Sequence, residues 1–526
     1  MTAPMHWARW GDPSHAAPLA ESARALVEMA FGPVERRTPV PLEDVRVPDS
    51  RLSDSLLAEL AAVVGTDQVH TDHDARVRHT RGRSTPDLLR MRAGDAGQAP
   101  DAVVLPAGEV EVQRLVAWCT ERHVALVPFG GGTSVVGGLD APGERFTGVV
   151  AVDLRRLDGF ALDEDSGTAE LGAGLRGPDA ERLLTEHGWT LGHFPQSFEY
   201  ASIGGFAATR SSGQASSGYG RFDDNVVGLR VATPIGPLEV GTAPASAAGP
   251  DLRQLMLGSE GAFGVITSVT VRVRHAPAQR VYEAWRLTDF DSAVAALRDV
   301  VRSGRAPAVL RLSDENETAL NLADPAAVGA ESGGGCLLLT GYEGTADRVA
   351  EHRAATGALL EGRATALGAG PGEAWVEGRY RGPYLRDSLL DAGVLVETLE
   401  TAAFWSRLPA VYAAVRTALE RALTTDSGGP VVLCHVSHVY DTGASLYFTV
   451  AVRQHGDGLD QWQRAKAAAT DAIVAAGGTL THHHAVGRDH RPWLESEIGP
   501  VGVEILRAVK RRLDPAGVLN PGVLVP

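Results

Sequence analysis

Cysteine is scarce in this chain. Cys119, Cys336 and Cys434 are the three present, far apart and without CxxC spacing, which excludes a disulfide framework and a thiolate zinc site and makes a reducing cytoplasm the expected setting. No stretch approaches the ~18 uninterrupted apolar residues of a membrane-spanning helix. The amino-terminal region, with Arg9, Trp10, Gly11, Asp12 and Pro13, lacks the apolar core of a secretory signal. Cations are outnumbered: 49 Lys and Arg against 65 Asp and Glu leave a formal net charge of −16, a balance set against nucleic acid, whose phosphates need clustered Lys and Arg. Neither a repeat of fixed period nor a long low-complexity segment is present, so solenoid architectures drop out.

What is there is globular material. Hydrophobic residues are 44% and charged residues 22% of the chain, so disorder is not the main state, and 526 residues exceed one ordinary core, predicting several domains or two large lobes. Apolar spacing predicts helices over 18–27 and 52–63, followed by a polar loop through Arg83. Strand 102–105, helix 109–121 and strand 125–128 read as a β-α-β unit. Strands 149–153, 169–171 and 190–191 surround a helix over 178–187, and strands 226–233, 238–240 and 265–274 carry the pattern to His275-Ala276-Pro277. There it restarts, with strands 281–285, 309–312, 336–342 and 443–452 and helices 291–303, 346–360 and 459–476. Gly477-Gly478 fits the left-handed cap of the last of these, while Gly249-Pro250 and 332–335 read as loops. The fold class is α+β, its second part an antiparallel sheet with helices on one side.

The strongest local signal is Pro128-Phe129-Gly130-Gly131-Gly132-Thr133-Ser134, directly after a strand. Glycines let successive amides point into one concavity, and the two hydroxyls add donors, which makes a nest for a diphosphate. Alone, such a run also fits an ordinary turn. Three more segments follow: Pro195-Gln196-Ser197 running to Ser202-Ile203-Gly204-Gly205, then Thr209-Arg210-Ser211-Ser212-Gly213, then Glu260-Gly261-Ala262-Phe263-Gly264-Val265-Ile266. In order and spacing these four pieces resemble the FAD-binding domain of the vanillyl-alcohol oxidase superfamily. The resemblance implies a two-subdomain FAD-binding domain plus an antiparallel-sheet cap domain with flanking helices. It places a helical segment over 1–95, the FAD domain over 96–277, the cap over 278–480 and a returning segment over 481–526. It also implies that 129–134 holds the diphosphate, 195–213 the isoalloxazine and ribityl, and 260–266 the adenine side. Since the loop offers Thr133 and Ser134 rather than His or Cys, FAD is expected to be non-covalent.

A second constellation is His482-His483-His484, just after the Gly477-Gly478 helix end. From spacing alone, three adjacent imidazoles are metal ligands, a proton-transfer cluster or an incidental polar loop. Alternation along an extended segment would put His482 and His484 on one face and His483 on the other. Taken by themselves, Tyr447 reads as a half-buried strand aromatic, and Arg311 and Arg386 read as surface ion pairs. The histidine run before Trp493-Leu494, the Asp514-Pro515 turn, Tyr440-Asp441-Thr442-Gly443 up to Tyr447, Tyr384-Leu385-Arg386-Asp387 and Val309-Leu310-Arg311-Leu312 together resemble the alkyldihydroxyacetonephosphate synthase family. Ala485 stands where that family has glycine, and His435 and His438 depart from its animal members.

The narrower resemblance implies replacement of the acyl chain of acyl-dihydroxyacetone phosphate by a fatty alcohol, without net redox change, on an electrophilic flavin. Tyr447 and His482, His483 and His484 would carry protons, Arg311 and Arg386 would hold phosphate or the departing carboxylate, and no metal is called for. The alternative of the same class is an FAD-linked oxidase or dehydrogenase of a hydroxy acid or secondary alcohol. A small lipid-like substrate is the expected partner, with peripheral membrane contact and a homodimer both compatible.

Overall fold

A computed structural model describes all residues except 1–4, 17–18, 34, 141–142, 321–327, 329–332 and 427. Pro18, where the first helical periodicity begins, and Ser332, in a Gly-rich loop, lie outside the described residues.

The first half is built on two sheets. Strands β1 (Val69–His70), β2 (Ala102–Val104), β3 (Ala125–Phe129) and β4 (Val149–Asp153) form one in the order β1–β2–β4–β3. The helix Glu109–Arg122 links β2 to β3, and both strands run parallel to β4. Strands β5 (Phe160–Asp163), β6 (Thr168–Gly172), β8 (Val226–Thr233), β9 (Gly236–Val240) and β10 (Val265–Arg272) form an antiparallel second sheet, while the short β7 (Trp189–Thr190) pairs with β11 (Arg274–His275). One core runs through both sheets. It includes Leu126, Phe206, Phe263 and, from the far end of the chain, Leu494, Val518 and Leu519. The terminal segment is stitched in by Leu126 N–H to the Val518 carbonyl (2.8 Å) and Asn520 N–H to the Leu126 carbonyl (2.8 Å).

The second half is one seven-stranded antiparallel sheet, β12 (Gln279–Leu287), β13 (Val309–Ser313), β14 (Cys336–Gly344), β15 (Thr365–Gly368), β16 (Val394–Phe404), β17 (Val431–Val436) and β18 (Gly443–Arg453), in the order β15–β12–β14–β13–β17–β18–β16. Period-two alternation sorts its faces. Leu310, Leu312, Cys434, Leu446, Phe448 and Val450 pack against the helices Phe290–Arg302, Leu408–Leu423 and Leu459–Ala476. Their neighbours Arg311, His435 and Tyr447 face the opposite way, into a cavity against the first half.

One expectation fails. The stretch read as a polar loop through Arg83 contains the helix His73–Arg78, capped by Asp72, and leads into the helix Thr85–Arg92, capped by Ser84. Four of its basic side chains, Arg76, His79, Arg81 and Arg83, are buried: Arg76 donates to the Pro100 carbonyl (2.7 Å), and His79 bonds Asp153 (2.8 Å). Hydropathy registers the polarity of such residues and not the partners that compensate their burial.

Candidate active site

Strand register assembles the site. His435 on β17 stands opposite Tyr447 on β18, and Tyr447 opposite Glu400 on β16, so three functional side chains from three strands lie in one row across the sheet. Arg311, on neighbouring β13, donates to Ser313 Oγ (2.6 Å) and Glu317 Oε1 (2.5 Å) and lies 3.2 Å from His435 Nδ1. Arg311, buried, and Arg386, half-buried, are therefore members of networks and not surface ion pairs. Arg386 donates to the Arg83 carbonyl (2.6 Å) and to Asp387 Oδ1 (3.2 Å).

The histidine segment closes over this row. The helix Leu459–Ala476 ends at Gly477 in the left-handed conformation, as the Gly-Gly pair predicts, and the chain then bends around the buried carboxylate of Glu400. That carboxylate accepts from the Thr481 hydroxyl (2.5 Å) and from the amides of His482 (2.6 Å), His484 (3.0 Å) and His483 (3.3 Å). A segment whose consecutive amides converge on one acceptor is not extended, so the expected alternation of faces is absent and all three rings gather on one side. His482 Nδ1 meets His483 Nδ1 at 2.9 Å, and His482 Nε2 meets the Tyr440 hydroxyl at 2.5 Å. Tyr447 lies between His435 (ring centroids 4.9 Å), His484 (5.6 Å) and His483 (6.0 Å).

Electrostatics follow from burial. Desolvation, with neighbouring cations, pushes the imidazoles of His482 and His438 well below the usual histidine range and His484 down to about 3. Burial opposes ionisation of Glu400, but His483, His484 and His482 and the Thr481 hydroxyl outweigh it and hold its carboxyl well below the usual carboxylate range. Desolvation raises the Tyr447 hydroxyl to about 12. The site thus holds neutral imidazole acceptors beside a protonated phenol.

The cavity, about 800 Å³, extends from this row to the glycine-rich segments. Of the residues expected to hold FAD, Pro128, Gly130 to Ser134, Pro195, Ser197, Ser202, Gly204, Gly205, Thr209, Ser212, Glu260, Gly264 and Ile266 border it. Phe129, Ile203, Gly213 and Val265 do not: Phe129, Ile203 and Val265 are buried core residues behind the wall. A Cβ on Gly131 would stand 1.8 Å from the Tyr200 carbonyl oxygen, and Gly132 has φ +70°. The loop is consequently a cradle that side chains would fill, with its amides and hydroxyls free to meet a diphosphate. Glu260 has another use. Its carboxyl, raised to about 7 by burial, accepts from the amides of Val486 (3.1 Å) and Gly487 (2.9 Å), clamping the far end of the histidine segment. Between the two clamps Ala485 sits at φ +75°, which accounts for the family's glycine there.

Glu400 and Glu317 were not singled out by sequence, and Tyr440 and His438 were named there without a role. The His438 Nδ1 faces Ser216 Oγ (2.8 Å) and Ser212 Oγ (3.0 Å), joining the histidine cluster to the 209–213 segment. His438, His482 and His483 each bring a ring nitrogen within 4.8 Å of the others, a spacing that admits a metal ion. The bonds from His482 to Tyr440 and His483 already commit three ring nitrogens.

Comparison with known proteins agrees with this architecture. The FAD binding domain family matches residues 100–240, and the family of FAD linked oxidases, C-terminal domain, matches 276–524. The chain is 35% identical over 509 residues to an alkyldihydroxyacetonephosphate synthase of Dictyostelium discoideum, covering 92% of this chain and 83% of that one. It is 32% identical to the synthase of Trypanosoma brucei brucei, with 91% and 82% covered. A solved alkyldihydroxyacetonephosphate synthase superposes with a TM-score of 0.83 at 30% identity over 98% of both chains. The structure of p-cresol methylhydroxylase with substrate bound, at 17% identity and a TM-score of 0.70 over 89% of this chain and 96% of that one, shares the fold.

Proposed function

This chain belongs to the alkyldihydroxyacetonephosphate synthase family and is an FAD-dependent enzyme of ether lipid synthesis, and on that premise we propose that the row His435–Tyr447–Glu400, closed by His482 to His484, catalyses the exchange. One carbon–oxygen bond, to the departing acyl carboxylate, breaks, and another, to the incoming fatty alcohol, forms; the alcohol's proton leaves the site and no net redox change occurs. Bound, oxidised FAD supplies the electrophile for this exchange. The observation that carries the reading is the position of Tyr447, ringed by three imidazoles in a cavity continuous with the Gly130–Ser134 cradle.

The division of labour follows from the protonation states. Neutral His483, whose lowering by burial Glu400 opposes, takes the proton from the substrate carbon and returns it there once the alcohol has added. His484 accepts the alcohol's proton and passes it out of the site, and the Tyr447 hydroxyl hydrogen-bonds the departing carboxylate. Arg311 fixes His435 and Glu317 beside Tyr447, and Arg386 ties the helix Gly382–Asp391 to the Arg83 carbonyl under the cavity. Leu26, Ala30, Phe31, Leu389, Val396 and Ala451 give the cavity an apolar wall suited to an alkyl chain. The direct test is anaerobic mixing of the yellow protein with acyl-dihydroxyacetone phosphate and fatty alcohol. Ether product, with release of one fatty acid per ether formed, is expected. Flavin bleaching by a hydroxy acid, without ether product, would favour the oxidoreductase alternative.

The bonds from Tyr440 to His482 and from His482 to His483 form a continuous chain, and we propose that it relays protons between the cavity and the Tyr440 hydroxyl, which Arg221 also meets. If Tyr440 donates to His482 Nε2, then His482 Nδ1 donates to His483 Nδ1; one hop along the chain reverses both bonds. Tyr440→Phe breaks this route without touching Tyr447. Turnover is expected to fall about tenfold, less than the ~10²–10⁴ lost with a direct acid-base group, and added imidazole should restore part of it. A variant with full turnover would remove Tyr440 from the path.

A further inference from the structure

Four arginines border the cavity: Arg83, Arg311, Arg379 and Arg386. Three are committed within the protein. Arg83 donates to the Gly82 carbonyl (2.8 Å) and the His6 carbonyl (3.1 Å), while Arg311 and Arg386 are held as described above. Arg379, between the helices Gly370–Gly378 and Gly382–Asp391, forms no salt bridge within 4.0 Å among the described residues. Its guanidinium instead lies over the rings of Tyr380 (4.9 Å), Phe194 (5.1 Å) and Trp375 (5.8 Å). Ring faces stabilise a cation through its π surface, and beyond the contact with the Tyr380 hydroxyl they leave in-plane N–H donors that match phosphate.

A second donor waits beside it. The Gln214 amide bridges Gln196 Oε1 (3.4 Å) and the Arg379 carbonyl (3.3 Å), so Gln196 and Arg379 belong to one piece of wall. Gln196 Nε2 is buried and has no hydrogen-bond partner among the described residues. A buried amide donor left unpaired is destabilising, and an anion bound at Arg379 would satisfy it. Both the pair and the Gly130–Ser134 cradle open into the same cavity; Gln196 falls in the 195–213 stretch expected to hold the flavin, whereas Arg379 lies outside it, so FAD retention is measured beside anion binding.

We propose that Arg379 and Gln196 form an anion subsite that takes the phosphate of the substrate. The bearer of that phosphate rests on the acyl-exchange reading; the anion class does not. The FAD-loaded protein is titrated with dihydroxyacetone phosphate, following the flavin spectrum, with uncharged dihydroxyacetone as control, for the wild type, Arg379→Gln and Gln196→Leu. Arg379→Gln retains the side-chain stem that packs on the rings, and Gln196→Leu provides an independent variant should packing suffer. Loss of charged hydrogen bonds is expected to weaken dihydroxyacetone phosphate binding about ten- to 100-fold in Arg379→Gln, and less in Gln196→Leu. FAD content should hold, and KM for acyl-dihydroxyacetone phosphate should rise by the same factor while KM for the fatty alcohol stays within about twofold. Unchanged affinity in both variants overturns the subsite. Loss of FAD from either also overturns it, assigning the pair to the cofactor. Should no ether form at all, the dihydroxyacetone phosphate titration still decides the subsite, so the two failures are read separately.

Discussion

Gly131→Val is expected to give a folded but colourless protein. The Gly130–Ser134 loop passes so close to the 200–202 segment that a Cβ at Gly131 would meet the Tyr200 carbonyl oxygen at 1.8 Å and the Ala201 Cα at 2.9 Å. Both obstacles are backbone, so relief requires the loop itself to move, and the amides that form the nest move with it. Overpacking of this kind costs about 1–3 kcal/mol, about five- to 150-fold if charged to cofactor affinity, and β-branching at the position adds to the displacement. The yellow absorbance per chain should drop to the background of an apo protein while far-ultraviolet circular dichroism stays that of the wild type, and activity should disappear with the colour. In the wild type, mild acid precipitation should leave a colourless pellet and free FAD, because Thr133 and Ser134 have no side chain able to bond the flavin covalently. Stoichiometric flavin in Gly131→Val, or a yellow denatured pellet from the wild type, would contradict the assignment. Gly132→Ala, strained at φ +70° with the Phe129 ring 2.6 Å away, is a milder second variant for the same measurement.

How much of this was legible in the chain depends on the range of the interaction. The alternation Val269, Val271, Val273 and the helical spacing of 291–303 are local signals, and the strand Val265–Arg272 and helix Phe290–Arg302 appear where they predict. The glycine runs were legible because a backbone that must approach another group closely leaves its mark in residue type. Glu400 left none. It is an acidic residue in a strand, 81 positions from Thr481, and only the β16–β18 register and the cap at Gly477 bring it under the histidine amides. Without Glu400 the sequence suggests an extended histidine run with alternate faces; with it, the run is a turn. The roles of Tyr440 and His438 were hidden for the same reason, since each acts through partners from distant segments, His482 and Ser212. Arg311 and Arg386 were singled out through family resemblance, but only the fold brings their donors to Glu317, Ser313, Asp387 and the Arg83 carbonyl.

Tyr447→Phe tests the chemistry with the least disturbance of structure. The ring is held by its strand, between His435 at 4.9 Å and His483 at 6.0 Å, and phenylalanine keeps that packing while removing one hydroxyl. Desolvation has raised this hydroxyl to about 12, so at neutral pH it stays protonated, and its loss deprives the departing carboxylate of a hydrogen-bond donor. The buried imidazoles cannot take over: burial lowers their pKa, His484 to about 3, so they stay neutral until the pH falls well below 6.5 and serve as acceptors throughout the neutral range. The wild-type turnover profile should accordingly lack the ordinary histidine limb near pH 6.5. Turnover of Tyr447→Phe is expected to fall about 10²–10⁴-fold, with FAD content and melting temperature retained, and with KM for both substrates changed far less than kcat because the missing group acts in the transition state. A loss below about threefold would take Tyr447 out of the reaction and leave the donor to be sought among the groups that share its cavity.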